Sequence, residues 1–210
     1  MKPYYEEPGI TIYHGDCRDI LVEIERPDLI ITDPPYGMDF QSNHRAQKHM
    51  KIIGDKELDT GTIRLFIDAA KCGVYAFCRW DNLKQMPPPK SVLCWVKNNW
   101  SMGDLLHEHG RQWEAICFYP GENHKFIKRI PDVINADRTG NFDHPTEKPS
   151  GLLRILIEAN EGEVILDPYM GSGSTLRAAK DAGRKAIGIE IEEKYVEIAI
   201  KRLRQEVLPL

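Results

Sequence analysis

Residues 163–190 read as strand, glycine-rich turn, helix, strand and terminal acid, an order that leaves the chain few folds to choose from. Glu163-Val164-Ile165-Leu166 is a short buried-strand run, followed by Asp167-Pro168-Tyr169-Met170-Gly171-Ser172-Gly173-Ser174-Thr175. Leu176, Ala178 and Ala179 then carry a helix towards Gly183, and Lys185–Ile189 forms a strand ending at Glu190. Such a unit belongs to an open α/β sheet that takes its ligand at the strands' carboxyl ends. Gly171 and Gly173 let a ligand approach the backbone closely, and free amides at a helix start suit a carboxylate. Glu190 is placed to take ribose hydroxyls. Leu176 occupies the third position of the dinucleotide pattern G-x-G-x-x-G, and no phosphate loop of the G-x-x-x-x-G-K-[ST] type is present. An adenosyl ligand without a pyrophosphate fits better. A glycine turn that serves packing alone is the competing reading.

A second stretch carries chemistry. Leu29, Ile30 and Ile31 read as a buried parallel strand, and Asp33-Pro34-Pro35-Tyr36 ends it abruptly. Two prolines remove two amide donors and fix φ, so neither strand nor helix continues. The stiff turn offers a carboxylate, a bare Pro34 carbonyl and the Tyr36 ring, a trio suited to holding a planar aromatic amine. The carboxylate and carbonyl could accept the two amino hydrogens while Tyr36 stacks on the ring, leaving the nitrogen lone pair directed at an electrophile. The plain alternative is a strand-ending turn with a capping Asp.

Around these two stretches the chain alternates strands and helices. Ile10–Tyr13 is a strand, and the turn His14-Gly15-Asp16 leads into a helix from Cys17 to Ile24. Asp16 and Asp33 then end two strands, expected to be parallel neighbours; a helix N-cap is the other role for Asp16. A helix over 62–71 carries Leu65, Phe66 and Ala69 on one face. Strands follow at 74–78 and 92–96, then a polar loop at 98–110, and residues 113–119 could pair antiparallel with 92–96. Pro149 starts a helix with the stripe Leu152, Leu153, Leu156 and Ile157, and a last helix spans about 192–204.

The formal net charge of −4 does not advertise nucleic-acid binding, so any such contact needs local basic patches. Residues 38–59 lack periodicity, and between Gln41 and Lys56 the bases Arg45, Lys48, Lys51 and Lys56 outnumber Asp55, reading as a basic flap or a merely solvated loop. Residues 120–143 hold Lys125, Lys128 and Arg129. Five scattered cysteines lack metal-ligand spacing and read as reduced thiols. No long apolar segment or signal peptide is visible, so a soluble cytoplasmic protein with no membrane association is expected.

Together these motifs resemble the DNA amino-methyltransferases that use S-adenosyl-L-methionine to methylate adenine N6 or cytosine N4. Asp33-Pro34-Pro35-Tyr36 resembles their catalytic motif, Leu166–Thr175 their cofactor loop and Gly188-Ile189-Glu190-Ile191 their ribose-binding strand end. His144-Pro145-Thr146-Glu147-Lys148-Pro149 resembles the segment over the cofactor's methionine end, and Tyr13-His14-Gly15-Asp16 one near its adenine. Catalytic motif first and cofactor loop last is the permuted order of the β-group. The resemblance implies one domain over 1–210: an α/β, Rossmann-like, seven-stranded and mostly parallel sheet with helices on both faces. It implies catalytic Asp33, Pro34, Pro35 and Tyr36, and a cofactor site of Asp16, Thr32, Asp33, His144, Thr146, Lys148, Asp167, Tyr169, Gly171, Ser172, Gly173, Ser174, Thr175 and Glu190. Double-stranded DNA would be the substrate, met by Arg45, Lys48, Lys51, Lys125, Lys128 and Arg129. A cognate restriction endonuclease is the partner class it admits, with the chain a monomer or homodimer. Asp33 tilts the base towards adenine. Cytosine N4, or a non-catalytic nucleic-acid-binding module keeping a relic cofactor fold, are the alternatives. The family's usual recognition insert is shortened here to 120–143, which implies a short or degenerate target.

Overall fold

A computed structural model describes residues 1–35, 59–101, 106–107, 109–138 and 147–205. In chain order the strands are β1 (Tyr5–Glu7), β2 (Ile10–His14), β3 (Leu29–Thr32), β4 (Gly73–Cys78), β5 (Ser91–Ser101), β6 (Arg111–Pro120), β7 (Val133–Asn135), β8 (Val164–Asp167) and β9 (Lys185–Glu190). The helices are α1 (Cys17–Leu21), α2 (Thr60–Ala69), α3 (Ser150–Glu158), α4 (Ser174–Asp181) and α5 (Glu193–Arg204). All nine strands join one sheet in the order β1-β2-β9-β8-β3-β4-β6-β5-β7.

The five strands from β2 to β4 in that order are mutually parallel. β6 runs against β4, and β5 runs against β6, so β5 points with the parallel set. These seven strands are the expected Rossmann-like sheet, and β1 and β7 add three-residue edges to it. Every residue of β3 and β4 is buried, as continuous apolar strands covered on both faces must be. One face packs Ile10, Ile31 and Ile165 under Leu152, Leu156, Leu176 and Val196 of α3, α4 and α5. The other packs Ile30, Val74 and Leu166 under Ile20 of α1 and Ile63 and Phe66 of α2.

The crossover β8-α4-β9 steps one way along the sheet and β3-α2-β4 steps the other, with α4 and α2 on opposite faces. Between β8 and β3 the strand order therefore reverses, and such a switch point opens a crevice at the carboxyl ends. The ladder there is short, pairing only Leu29 with Ile165 and Ile30 with Leu166. Below it Asp28 reaches across, accepting the amides of Glu163 at 2.7 Å and Val164 at 3.0 Å.

Several expectations need correcting. β2 and β3 are parallel but not neighbours, because β9 and β8 lie between them. In α2, Ile63 and Phe66 face the core while Leu65 is exposed, since the i, i+3 stripe through Ile63 and Phe66 turns Leu65 to the flank. β5 continues to Ser101, into what reads as loop, through a register shift after Val96. Gly173 also has a packing role: at φ +79° its missing Cβ would lie 2.8 Å from Ala199 Cβ, so the glycine lets α4 and α5 approach.

Gly188 is the tighter constraint. A Cβ there would sit 2.3 Å from Met170 Sδ and 2.7 Å from Leu176 Cδ2, so β9 forms the floor on which the glycine turn rests. Gly188→Val should destabilise the protein by about 1–3 kcal/mol or more. Gly151→Ala in α3, where a Cβ meets nothing within 4 Å, should stabilise it by up to ~1 kcal/mol. Thermal unfolding of both variants checks the pair.

Candidate active site

Four strand ends meet around the crevice. β3 delivers Thr32 and then Asp33, β8 delivers Asp167, β9 delivers Glu190, and β2 leads to Asp16. Thr32 is buried, and its Oγ1 has no hydrogen-bond partner among the described residues. An orphaned buried hydroxyl at a strand end is where a ligand's polar group is expected.

Asp167 accepts the Tyr169 amide at 3.1 Å and is also hydrogen-bonded by the Thr175 side chain. Burial pushes its carboxyl up to about 7, helped by the charges of Asp33 and Glu190 and opposed by those two hydrogen bonds. Glu190 accepts from the Gly171 amide and the Glu192 amide, both at 2.9 Å, and burial raises its pKa as well. The Gly171 and Gly173 amides are thus already engaged, the latter with the Met170 carbonyl at 2.8 Å. The turn needs them to hold its own shape. The carboxylates retain acceptor capacity, so Glu190 can still take hydroxyls.

Asp33 is held from the other side. Lys148 Nζ donates to Asp33 Oδ2 at 2.6 Å and lies 3.3 Å from Glu114 Oε2. Glu147, one residue earlier, receives Arg202 at 2.9 Å, so the chain entering α3 is tied to α5 and to the crevice by alternate side chains. Lys148 thus faces the carboxylate that ends β3. Asp16 takes its plainer role, capping α1 through the Arg18 amide at 2.9 Å and pairing with the Arg18 guanidinium. Tyr169 packs edge-on to Phe66, 6.0 Å between centroids, and walls the turn on the α2 side. Ser172 in the turn and Thr175 at the start of α4 are buried. Tyr36, His144, Thr146, Arg45, Lys48, Lys51 and all of the 38–59 flap but Asp59 lie outside the described residues.

The second basic loop is at the wrong edge. β6 is antiparallel to its neighbours, so residues after Pro120 leave the sheet at the amino ends of the parallel strands. The Gly121 amide donates to the Cys72 carbonyl, the Lys128 amide to Ala159, and the Glu161 amide to Lys125. His124 bonds Asn160 and rests on Phe118. Lys125, Lys128 and the adjoining Arg129 therefore sit across the sheet from Asp33. What does project at the catalytic edge is the β5–β6 hairpin, with Trp100 65% exposed and Trp113 41%. Sequence reasoning also passed over Glu114 and Lys97. Their signal was a charge at a core-facing position of an apolar strand: Glu114 is opposite buried Trp95, and Lys97 follows two residues on.

The crevice suits S-adenosyl-L-methionine. Three carboxylates, Asp33, Asp167 and Glu190, surround it with one ammonium, and a sulfonium cation is complementary to that excess. Comparison with known proteins agrees. A family described as DNA methylase, of the N6/N4 amino type, matches residues 80–201. The DNA adenine methyltransferase YhdJ of Escherichia coli (strain K12) is 46% identical, over 92% of this chain and 82% of its own. The type II methyltransferase M2.DpnII of Streptococcus pneumoniae is 29% identical, over 98% of this chain and 93% of its own. The M1.HpyAVI–SAM complex superposes with a TM-score of 0.70 at 25% identity, covering 92% of this chain and 100% of that one. Fold and crevice together define a Rossmann-like, S-adenosylmethionine-dependent methyltransferase. This chain belongs to the family of N6/N4 DNA amino-methyltransferases.

With its carboxyl near 7, Asp167 is part-protonated at neutral pH, and a cation in the crevice favours its ionised form. Cofactor binding should therefore release a proton, and affinity should rise with pH by up to about tenfold per unit below neutrality. Calorimetry in buffers of different ionisation enthalpy reads that proton, and Asp167→Asn should lose it.

Proposed function

We propose that this chain methylates the N6 amino group of adenine in double-stranded DNA, with Asp33 and the Pro34 carbonyl as acceptors for the amine's two hydrogens. The observation that carries this reading is the Asp33 carboxylate, fixed by Lys148 at the carboxyl end of β3 beside the three-acid crevice. An aspartate at that position and the kinship with an adenine methyltransferase support adenine over cytosine.

S-adenosylmethionine, when bound, supplies an electrophilic methyl group. The Gly171–Gly173 turn and Glu190 would hold its nucleoside side, and Thr32 and Asp167 would face its cationic centre. Asp33 turns the amine so that its lone pair, otherwise delocalised into the ring, points away from the ring plane. The nitrogen that gains a methyl becomes strongly acidic, and the neighbouring carboxylate is base enough to take its proton. Pro34 and Pro35 contribute stiffness, which keeps the acceptors aligned without reorganisation. The target base must leave the duplex, at a cost of a few kcal/mol. Tyr36 is the residue assigned to stack on it.

The β5–β6 hairpin would meet the duplex in this reading. Trp100 lies over Gly110, where a Cβ would approach its Cδ1 to 2.5 Å, so glycine there lets the indole lie flat on the strand. We read residues 1–210 as one domain, because a single sheet takes strands from Tyr5 to Glu190. DNA as substrate and five free thiols fit a cytoplasmic setting, and kinship with type II methyltransferases supports a cognate endonuclease as partner.

Asp33→Ala should abolish methyl transfer and leave S-adenosylmethionine affinity within a few-fold of wild type. Nucleoside mass spectrometry of plasmid DNA after reaction should show N6-methyladenine, and N4-methylcytosine instead would overturn the choice of base. Trp100→Ala should weaken DNA binding by about 1–3 kcal/mol while sparing the cofactor, as titration with duplex DNA would show.

A further inference from the structure

Lys148 belongs to a row of four alternating charges. Its Nζ is 2.6 Å from Asp33 Oδ2 and 3.3 Å from Glu114 Oε2, and Glu114 Oε1 in turn pairs with Lys97 Nζ. The side chains are 19%, 8%, 20% and 11% exposed from Asp33 to Lys97, so little water screens them. The row crosses the turn after β3, the entry to α3, and the paired strands β6 and β5. Aromatic faces line it: Lys148 Nζ lies 4.9 Å from the Phe77 centroid and 6.0 Å from Trp95, and Lys97 Nζ lies 5.0 Å from Trp95. Trp95 is itself fixed by its Nε1–H, which donates to the Ala136 carbonyl at 2.8 Å.

Such a row is a poor device for stability, because well-packed apolar side chains of similar volume generally serve a core as well or better. Its geometry instead ends on the one carboxylate assigned to the target amine. We propose that Glu114 is a positioning residue for methyl transfer: backed by Lys97, it holds a protonated Lys148 against Asp33 and so fixes that carboxylate for the amine. The proposal rests on the reading of Asp33 as the amine's acceptor.

The electrostatics are consistent with this role. Burial works against the Lys148 charge, but Asp33 and Glu114 outweigh it and raise its pKa. Burial likewise opposes the Glu114 charge, yet Lys148 and Lys97 hold its carboxyl down to about 2. Burial lowers Lys97, with repulsion from Lys148 and Arg138, while Glu114 supports its charge. Removing the Glu114 charge therefore makes Lys148 easier to deprotonate. Removing Lys97 leaves Glu114 to act on Lys148 alone and makes it harder.

The test is the pH profile of kcat for Glu114→Gln and Lys97→Met, with S-adenosylmethionine and plasmid DNA as substrates. Glu114→Gln should lower kcat by ~10–100-fold with KM for the cofactor within about twofold, and shift the alkaline limb to lower pH. Lys97→Met should shift that limb to higher pH, and opposite shifts are not what loosened packing produces. Should Glu114→Gln fail to fold, Lys97→Met decides alone: an upward shift supports the proposal and an unmoved limb overturns it. Asp33→Ala is measured alongside. Activity there would sink the amine reading and this proposal with it. An inactive Asp33→Ala beside a Glu114→Gln of wild-type kcat and profile overturns only the role of Glu114.

Discussion

Two ladder pairs, Leu29 with Ile165 and Ile30 with Leu166, join the halves of this sheet, and the active site exists because the join is no longer than that. Beyond them β3 and β8 part company, one towards Asp33 and the other towards Asp167. A longer ladder would close the crevice, and a shorter one would let the two acids drift apart. The Asp28 carboxylate makes the short join sufficient by taking two amides of the facing chain from below. A carboxylate accepting backbone amides is a charge-assisted contact, about twice as strong as a neutral one. It fixes the spacing of the strand ends where a longer ladder cannot.

Charge does the rest of the positioning. The crevice concentrates Asp33, Asp167 and Glu190; burial above all raises the Asp167 carboxyl, and the charges of Asp33 and Glu190 add to that rise. Lys148 stands against Asp33, while Asp167 is poised to change state when a cation arrives. The fold thus gives adjacent carboxylates different behaviour through what lies behind each of them.

Much of this was legible in the sequence, and the rest was hidden for definable reasons. The unit around Gly171 and Glu190 declares itself through apolar period and glycine placement, both local signals. Asp33 declares itself through the two prolines that stop β3. Lys148 was visible as a motif residue, but its partner was not, because Glu114 and Lys97 come from strands that meet it only in three dimensions. The side of the sheet that carries Lys125 and Lys128 is a different case. An antiparallel β6 requires its following loop to emerge at the amino edge, so the expected strand pairing already contained the answer. Leu65 shows the usual limit of helix reading: Phe66 and Ala69 of the expected face do meet the core, but the stripe is centred on Ile63 and Phe66, and Leu65 falls off its side.

The order of motifs along the chain also sets a clock. Asp33 is made early and the 167–190 unit late, yet β3 is buried only when β8 lies beside it. At a ribosomal rate of roughly 5–20 residues per second, the catalytic turn waits on the order of ten seconds for the strand that completes it. Through that interval the run Leu29–Ile31 is a hydrophobic strand with an open edge, the type of segment that chaperones cover. A nascent chain of this kind carries Asp33 without the 167–190 unit that completes the crevice beside it, so the two halves of the site come together only after β9 has been synthesised.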